Sequence, residues 1–201
     1  MTFRNRVNKY VVQRERKLRG GLNCIPFNEF LPDLSAHVPG IVKGTYYAIT
    51  AFTNVGKTPL VKFLFVNIPY HYFRQFENTP NEFKLKIFYF CLEETEDQFI
   101  DSLILAELYS RYDIELDINE LNSLTVPLDE SIIKKINTLE EHFNKLFEVL
   151  TIVNSVDTTE GIYDVVKRYA YDNGTLYNSR GEEADLDEHA TLYRPNNPNE
   201  H

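Results

Sequence analysis

Residues 44–65 of the chain, GTYYAITAFTNVGKTPLVKFLF, decide the fold that we expect. The first part, TYYAITA (45–51), is rich in β-branched and aromatic residues and predicts a β-strand. After Thr58, apolar residues recur at helical spacing and predict an amphipathic helix. Between them, AFTNVGKT (51–58) follows the pattern G-x-x-x-x-G-K-[ST], with alanine in place of the first glycine. Strand, loop and helix in this order indicate a phosphate-binding loop.

Each fixed position of this pattern has a chemical role. Backbone N–H groups of the loop surround the phosphates of a nucleotide, and Gly56 permits the dihedral angles that this requires. Lys57 reaches the β- and γ-phosphates, and the Thr58 hydroxyl holds Mg²⁺. The helix that follows directs its positive dipole end at the same anion. We therefore predict that ATP and Mg²⁺ bind to eight residues: Ala51, Phe52, Thr53, Asn54, Val55, Gly56, Lys57 and Thr58. The alternative is a chance match in a solvated turn.

Pro59 departs from the usual chemistry of such loops. The residue at this position normally offers its backbone N–H to the α-phosphate, and proline has no N–H. Proline is tolerated in the first turn of a helix, so folding need not suffer. The hypothesis is that one phosphate contact is missing and that the affinity for nucleotide is reduced.

A second strand is predicted at Leu85–Cys91, LKIFYFC, and two acids follow it. In a parallel sheet, ligands bind at the carboxyl ends of the strands, where Glu93 and Glu94 would lie. ATP hydrolysis needs a carboxylate that polarises the attacking water. Helix-terminal acids stabilised by the dipole are the alternative, which we prefer for Glu94.

Three segments together resemble the ATPase domain of DnaB-like replicative helicases, most closely those of phage type, within the RecA-like superfamily. They are GLNCIPF (21–27), PGIVKGTYYAITAFTNVGKT (39–58) and FYFCLEE (88–94). In that family the second strand ends in a motif close to S-L-E-M, whose glutamate activates water. The resemblance places Glu93 on that glutamate and implies that Glu93 and Lys57 are catalytic. It covers about residues 21–171.

The resemblance implies an α/β fold with a mainly parallel sheet flanked by helices. It also implies a hexameric ring that hydrolyses ATP and moves single-stranded DNA through its centre. The expected organisation is a basic arm (1–20), a partial ATPase domain (21–174) and a polar, acidic linker (175–201). The Walker B and sensor strands of the family have no counterpart, because LTIV (150–153) matches the strand before Walker B. We therefore expect an incomplete domain with little activity of its own.

Four more segments have secondary structure that is predicted from local signals. Thr95 and Gln98 stand at capping-box spacing before an apolar helical pattern, and Asp117 and Glu120 suggest another short helix start. Apolar residues keep helical period over residues 129–147. A last helix is expected over residues 158–171, ended by the Asn-Gly pair at 173–174.

Charge is distributed unevenly along the chain. The net charge is −9, and residues 1–20 hold seven basic residues and a single acid. An acidic body argues against a nucleic-acid footprint over the whole surface. The basic arm is expected to be helical and could contact DNA, dock on a neighbouring copy or be solvated.

Cys24 and Cys91 lack metal-ligand spacing and fit a reducing compartment, and no apolar run is long enough to cross a membrane. These features predict a cytoplasmic protein, in a host cell if the source is a phage. Two further functions stay open: a RecA-like recombinase or ring loader, and a non-catalytic nucleotide-binding interaction module. A small kinase is less compatible with the Glu93 motif.

Overall fold

A computed structural model describes residues 3–18, 24–53, 55–79, 83–156 and 158–196. The chain divides into two compact units, Met1–Leu85 with Asn199–His201, and Lys86–Pro198. Across the described residues the architecture is mixed α/β with three two-stranded sheets. No described helix combines the length and the apolar character that crossing a bilayer requires.

The first unit begins with helix α1, Phe3–Leu18, which confirms the predicted basic helix. Strands β1 (Cys24–Pro26) and β2 (Gly40–Val42) then pair antiparallel around the short helix α2 (Pro32–Ser35). The sequence analysis predicted neither strand, because three-residue strands are too short to show an alternating pattern.

A continuous helical segment follows the predicted phosphate-binding loop. It consists of α3 (Lys57–Lys62), one π-helical turn (Phe63–Asn67) and α4 (Ile68–Phe76). The π turn is closed by the Ile68 N–H, which donates to the Phe63 carbonyl five residues earlier. Pro69 explains it, because a proline ring collides with the carbonyl four residues back and the wider turn makes room.

Aromatic rings pack this segment onto the turn that precedes α2. Phe30 makes edge contacts with Phe63 at 5.9 Å and with Tyr72 at 6.4 Å between ring centroids. The Tyr72 hydroxyl donates to Glu29 Oε2 at 3.0 Å. Burial, followed by this bond and the Glu29 charge, raises the pKa of Tyr72 to about 12.

The strand predicted at residues 45–51 is absent, since residues 45–51 form no regular structure and Tyr46 is 90% exposed. A strand needs a neighbour for its backbone groups, and no described strand pairs with this segment. A side chain attaches the segment instead. The Tyr47 hydroxyl donates to the Gly40 carbonyl at 2.8 Å and accepts from the Val42 N–H at 2.9 Å. The β-propensity of these residues was therefore a misleading signal.

Gly40 is expected to be the glycine whose replacement most destabilises the β1–β2 pair. Its φ is +155°, and an added Cβ would lie 2.1 Å from the Ile25 carbonyl oxygen. We expect Gly40→Ala to lower the free energy of unfolding by about 2–3 kcal/mol, because both the dihedral angle and the clash oppose it. Urea denaturation measures the loss.

Gly44→Ala is the matched control for Gly40→Ala. Gly44 also has a positive φ, +72°, but an added Cβ would meet nothing within 4 Å. Its replacement should cost only the dihedral strain, about 1 kcal/mol. Equal losses in the two variants would show that the close approach to Ile25 is unimportant.

The second unit is built on a parallel pair of strands. β3 (Ile87–Phe90) lies in register beside β4 (Leu150–Val153), so both predicted strands are confirmed. Four helices join them: α5 (Glu96–Tyr112), α6 (Ile118–Leu121), α7 (Glu130–Asn137) and α8 (Glu140–Val149). The predicted capping box at Thr95 is present, and the helix start predicted at Asp117 also has a capping box.

Helices cover both faces of the β3–β4 pair. Tyr89 packs on Phe99 of α5, with 4.3 Å between ring centroids. Phe88, the preceding residue of β3, packs on Tyr169 of α9 (Thr159–Asn173) at 5.2 Å. Neighbouring strand residues point to opposite faces, so α5 and α9 lie on opposite sides of the strands. The described residues are thus mixed α/β, but they hold little sheet, and the other two strand pairs are antiparallel. The RecA-like fold with a mainly parallel sheet stays a prediction.

The expectation of one helix over residues 129–147 was partly wrong. The segment forms two helices, α7 and α8, separated at Thr138 and Leu139. Leu139 is fully buried at this break, so the chain bends to place it in the core.

The expectation of a structureless tail after residue 174 was wrong over its described part. Strands β5 (Gly174–Tyr177) and β6 (Leu192–Pro195) pair antiparallel. The segment between them is tied to α9 by Lys167, whose ammonium donates to the carbonyls of Leu186 and Glu188. These anchors lie 19 and 21 residues away in sequence, so no local pattern reveals them.

Candidate functional site

Gly56 has the conformation that a phosphate-binding loop requires. Its dihedral angles are φ +85° and ψ +22°, in the left-handed region that glycine adopts most readily. The residue caps the N-terminus of α3, and the Leu60 N–H donates to its carbonyl at 3.1 Å. The glycine that the sequence pattern singles out is thus the turn between loop and helix.

The N-terminus of α3 offers positive partial charge to an anion. The first N–H groups of a helix have no partner within it, and the helix dipole adds to their field. The first turn contains Lys57, Thr58 and Pro59 and no acidic residue. Both the backbone and Lys57 therefore favour a negatively charged ligand at this point.

The described part of the loop is accessible to a ligand. Ala51, Phe52, Thr53, Val55, Gly56 and Lys57 are exposed, and Thr58 is half-buried. Asn54, the remaining residue of the eight predicted contacts, lies outside the described residues. Phe52 is 90% exposed, which the sequence analysis did not anticipate for an aromatic residue.

Pro59 is the third residue of α3, so the structure places it in the first helical turn. At this position a different residue would present an N–H group with no partner inside the helix. The donors left at the turn are those of Gly56, Lys57 and Thr58. The hypothesis of one missing phosphate contact is consistent with this geometry and stays a prediction.

Glu93 lies in the second unit, in the bend between β3 and α5, and is exposed. The parallel pairing continues to this point, because the Cys91 N–H donates to the Val153 carbonyl at 2.9 Å. Glu93 therefore follows the carboxyl end of a parallel strand, as predicted. Its catalytic role stays a prediction.

Glu94 has a partner that the sequence analysis missed. Its Oε1 accepts a hydrogen bond from the Tyr89 hydroxyl at 3.3 Å. Burial raises the pKa of Tyr89 above its ordinary value, and the charge of Glu94 and this hydrogen bond raise it further. Glu94 precedes the N-cap Thr95, so the preference for a structural role agrees with its position. Strand alternation could have placed Tyr89 on the α5 face, but not its hydroxyl on Glu94.

The sequence analysis did not predict a polar cluster on α5 and α8, and it assigned no site to the histidines. Arg111 Nε donates to Glu107 Oε2 at 2.6 Å, and Arg111 Nη2 lies 2.8 Å from His142 Nδ1. His142 Nε2 is 3.5 Å from Glu107 Oε1. The three side chains link the two helices and supply a structural explanation for His142.

Metal ligation by clustered side chains has no candidate in the described part of the chain. No group of three or more His, Cys, Asp or Glu residues there could hold an ion. The Mg²⁺ predicted at Thr58 would instead be held mainly by phosphate oxygens and water, as is usual for this ion. Cys24 and Cys91 form no disulfide.

Comparison with known proteins gives no relative for this chain. No family model, no curated protein and no solved structure matches it. Every functional statement about the chain therefore rests on its motifs and on the geometry described above.

Proposed function

We propose that residues 51–58 bind the triphosphate of ATP together with Mg²⁺. The observation that carries the proposal is the left-handed Gly56 at the N-terminus of α3, directly before Lys57 and Thr58. A chance Gly-Lys-Thr sequence in a solvated turn would not require a left-handed glycine at the N-terminus of a helix. The positive dihedral angle, the helix and the lysine all serve the binding of one anion.

Exposure and charge support the same proposal. Lys57 is exposed beside the helix terminus, so its ammonium is available to the β- and γ-phosphates. No acid in the first turn of α3 opposes an anion. The half-buried Thr58 is the second residue of the helix, the position from which a hydroxyl holds Mg²⁺ in loops of this pattern.

We further propose that the chain is the ATP-binding part of a DnaB-like replicative helicase motor. The support is the sequence resemblance, the parallel β3–β4 pair and the position of Glu93 after β3. In this proposal Glu93 polarises the attacking water, Lys57 stabilises the transferred phosphoryl group, and a hexameric ring moves single-stranded DNA. A recombinase or ring loader would share the loop and differ in its DNA contacts.

Titration with a fluorescent ATP analogue tests nucleotide binding. We expect saturable binding that weakens when EDTA removes Mg²⁺ and that unlabelled ATP reverses. AMP should compete poorly, because the loop recognises β- and γ-phosphates. Equal competition by adenosine and ATP would refute a site built on the phosphates.

Replacing Pro59 with glutamine should strengthen nucleotide binding. The substitution Pro59→Gln would restore one backbone N–H in the first turn of α3, and one hydrogen bond contributes about 0.5–1.5 kcal/mol. We expect the Kd for ATP to fall by about 2- to 10-fold. Pro32→Gln, at the first residue of α2, is the control and should leave the Kd unchanged. An unchanged Kd in both variants would contradict the missing-contact hypothesis.

A non-catalytic nucleotide-binding module is the second candidate, and Pro59 is the observation that favours it. A site selected to bind nucleotide without turnover tolerates the loss of one phosphate contact better than a motor does. Measurement of phosphate release separates the two functions in an assembly of the chain: stoichiometric binding without release supports the module, and release that Glu93→Gln abolishes supports the motor.

A further inference from the structure

We propose that α1 binds in the groove of a nucleic-acid duplex, through the phosphates on both sides of that groove. The inference rests on the charge, the exposure and the residue spacing of the helix, and it does not depend on nucleotide binding by residues 51–58. It would add a second site to the chain, with a polyanionic partner.

The first observation is the charge of the helix. α1 contains six basic residues and one acid, Glu15, whereas the net charge of the whole chain is −9. The helix is therefore the cationic part of an otherwise acidic protein, and its charge is complementary to a polyphosphate. A duplex carries one negative charge per about 1.7 Å of its axis, so it presents phosphates along the whole length of such a helix.

The second observation is that the described side chains of α1 are exposed to solvent. Every residue of α1 with a described side chain is exposed, which covers Arg4, Asn5, Val7, Asn8 and residues 10–15. No other described helix or strand packs extensively against it. Tyr10 and Val12 are 61% and 62% exposed, so apolar side chains of the helix are also open to solvent.

The third observation is the distribution of arginine positions around the helix axis. Residues two apart in an α-helix are separated by about 200° around the axis, so the positions of Arg4 and Arg6 lie on opposite sides. Arg14 and Arg16 repeat this spacing ten residues later, about 15 Å along the helix. Both ends of α1 thus have an arginine position on each of two sides.

Basic positions on two sides of a helix match a groove better than a flat surface. The major groove of B-DNA is about 12 Å wide, admits an α-helix, and has a phosphate strand on either side. A bilayer or one face of another protein would contact a single side of α1. Its apolar residues form only a narrow stripe, which Arg14 interrupts, so an interfacial helix is disfavoured.

Two one-sided double variants of the full chain test the proposal. Arg4→Ala/Arg14→Ala removes the two basic positions of one side. Arg6→Ala/Arg16→Ala removes two of the four on the other side, where the positions of Lys9 and Lys17 remain. Alanine preserves the helix, which circular dichroism would verify. Lys84→Ala/Arg180→Ala removes two exposed basic residues elsewhere and is the matched control.

The probe is a fluorescein-labelled 20-bp DNA duplex, followed by anisotropy between about 50 and 200 mM NaCl. Each one-sided variant should bind about 10-fold more weakly and reduce the slope of log K against log salt by about 1.8, the value for two lost phosphate contacts. The control should change neither quantity. Tighter binding of duplex than of the corresponding single strand would support the groove.

Other outcomes would overturn the proposal. Loss of binding in one double variant alone would indicate a single contact face and reject the groove. Equal losses in the control would reject α1 as the site. Binding to vesicles containing phosphatidylserine but not to the duplex would assign α1 to a membrane surface, and salt-sensitive self-association without duplex binding would assign it to a second copy.

Discussion

Lys57→Ala should lower the affinity of the chain for ATP by about 10- to 100-fold, because charge-assisted hydrogen bonds contribute about 1.5–3 kcal/mol. Lys57 is the first residue of α3 and is exposed beside Gly56, with no acid in the same turn. The loss should be larger for ATP than for ADP, since the γ-phosphate contact disappears with the ammonium. Titration with the fluorescent ATP analogue measures both ligands.

Lys84→Ala is the control for this substitution. Lys84 is exposed in the same unit and lies outside the loop, so its removal changes the net charge equally. Its Kd for ATP should remain within about 2-fold of the wild-type value, because surface charge at a distance is screened by salt. If both lysine variants lose affinity equally, the binding is non-specific attraction to a cation and the phosphate-loop proposal fails.

Phe99→Ala should produce the largest loss of stability in the second unit. Phe99 is fully buried on α5 and packs against Tyr89 of β3. Replacing a buried phenylalanine with alanine costs about 3–5 kcal/mol, from lost burial and from the cavity that remains. Urea unfolding followed by tyrosine fluorescence measures the loss, since the chain has 13 tyrosines and no tryptophan.

Tyr109→Ala, on the same helix, is the control that distinguishes the loss of packing from a change in helix propensity. Tyr109 is 60% exposed, and its replacement should change the free energy of unfolding by less than about 1 kcal/mol. Phe99→Leu should lie between the two. A Phe99→Ala variant as stable as Tyr109→Ala would mean that α5 does not pack on β3 as described.

Helix starts were predictable from sequence because their signals are local. The capping box at Thr95 and Gln98 occupies four residues, and the structure contains both of its hydrogen bonds. The Thr158 side chain likewise accepts from the Gly161 N–H at the start of α9. Such signals need no knowledge of the rest of the fold.

Strand formation was less predictable because a strand depends on a partner. β3 and β4 satisfy each other, and both predictions are confirmed. Residues 45–51 have a strand-like composition, but no described strand pairs with them, and they form no strand. β5 and β6 were missed because four-residue strands without an apolar pattern depend on distant anchors such as Lys167.

The candidate site also has one feature that a local signal predicts and one that depends on the three-dimensional fold. The left-handed Gly56 could be predicted, because the position in the motif demands a residue without a Cβ. The hydrogen bond from Tyr89 to Glu94 could not, because it requires the three-dimensional path between β3 and α5. The catalytic role of Glu93 rests on resemblance alone and stays a prediction.

The π turn at Phe63–Asn67 changes the angular phase of the helix that carries the loop. A turn closed over five residues holds more residues than an α-helical turn, so the residues of α4 are displaced around the axis relative to those of α3. The buried set therefore follows no single 3.6-residue stripe. It includes Lys62 in α3, Leu64 and Val66 in the π turn, and Ile68, Pro69, Tyr70 and Tyr72 in α4. Insertions and deletions in this turn would rotate the Lys57 end against the aromatic end, whereas substitutions that keep its length would not.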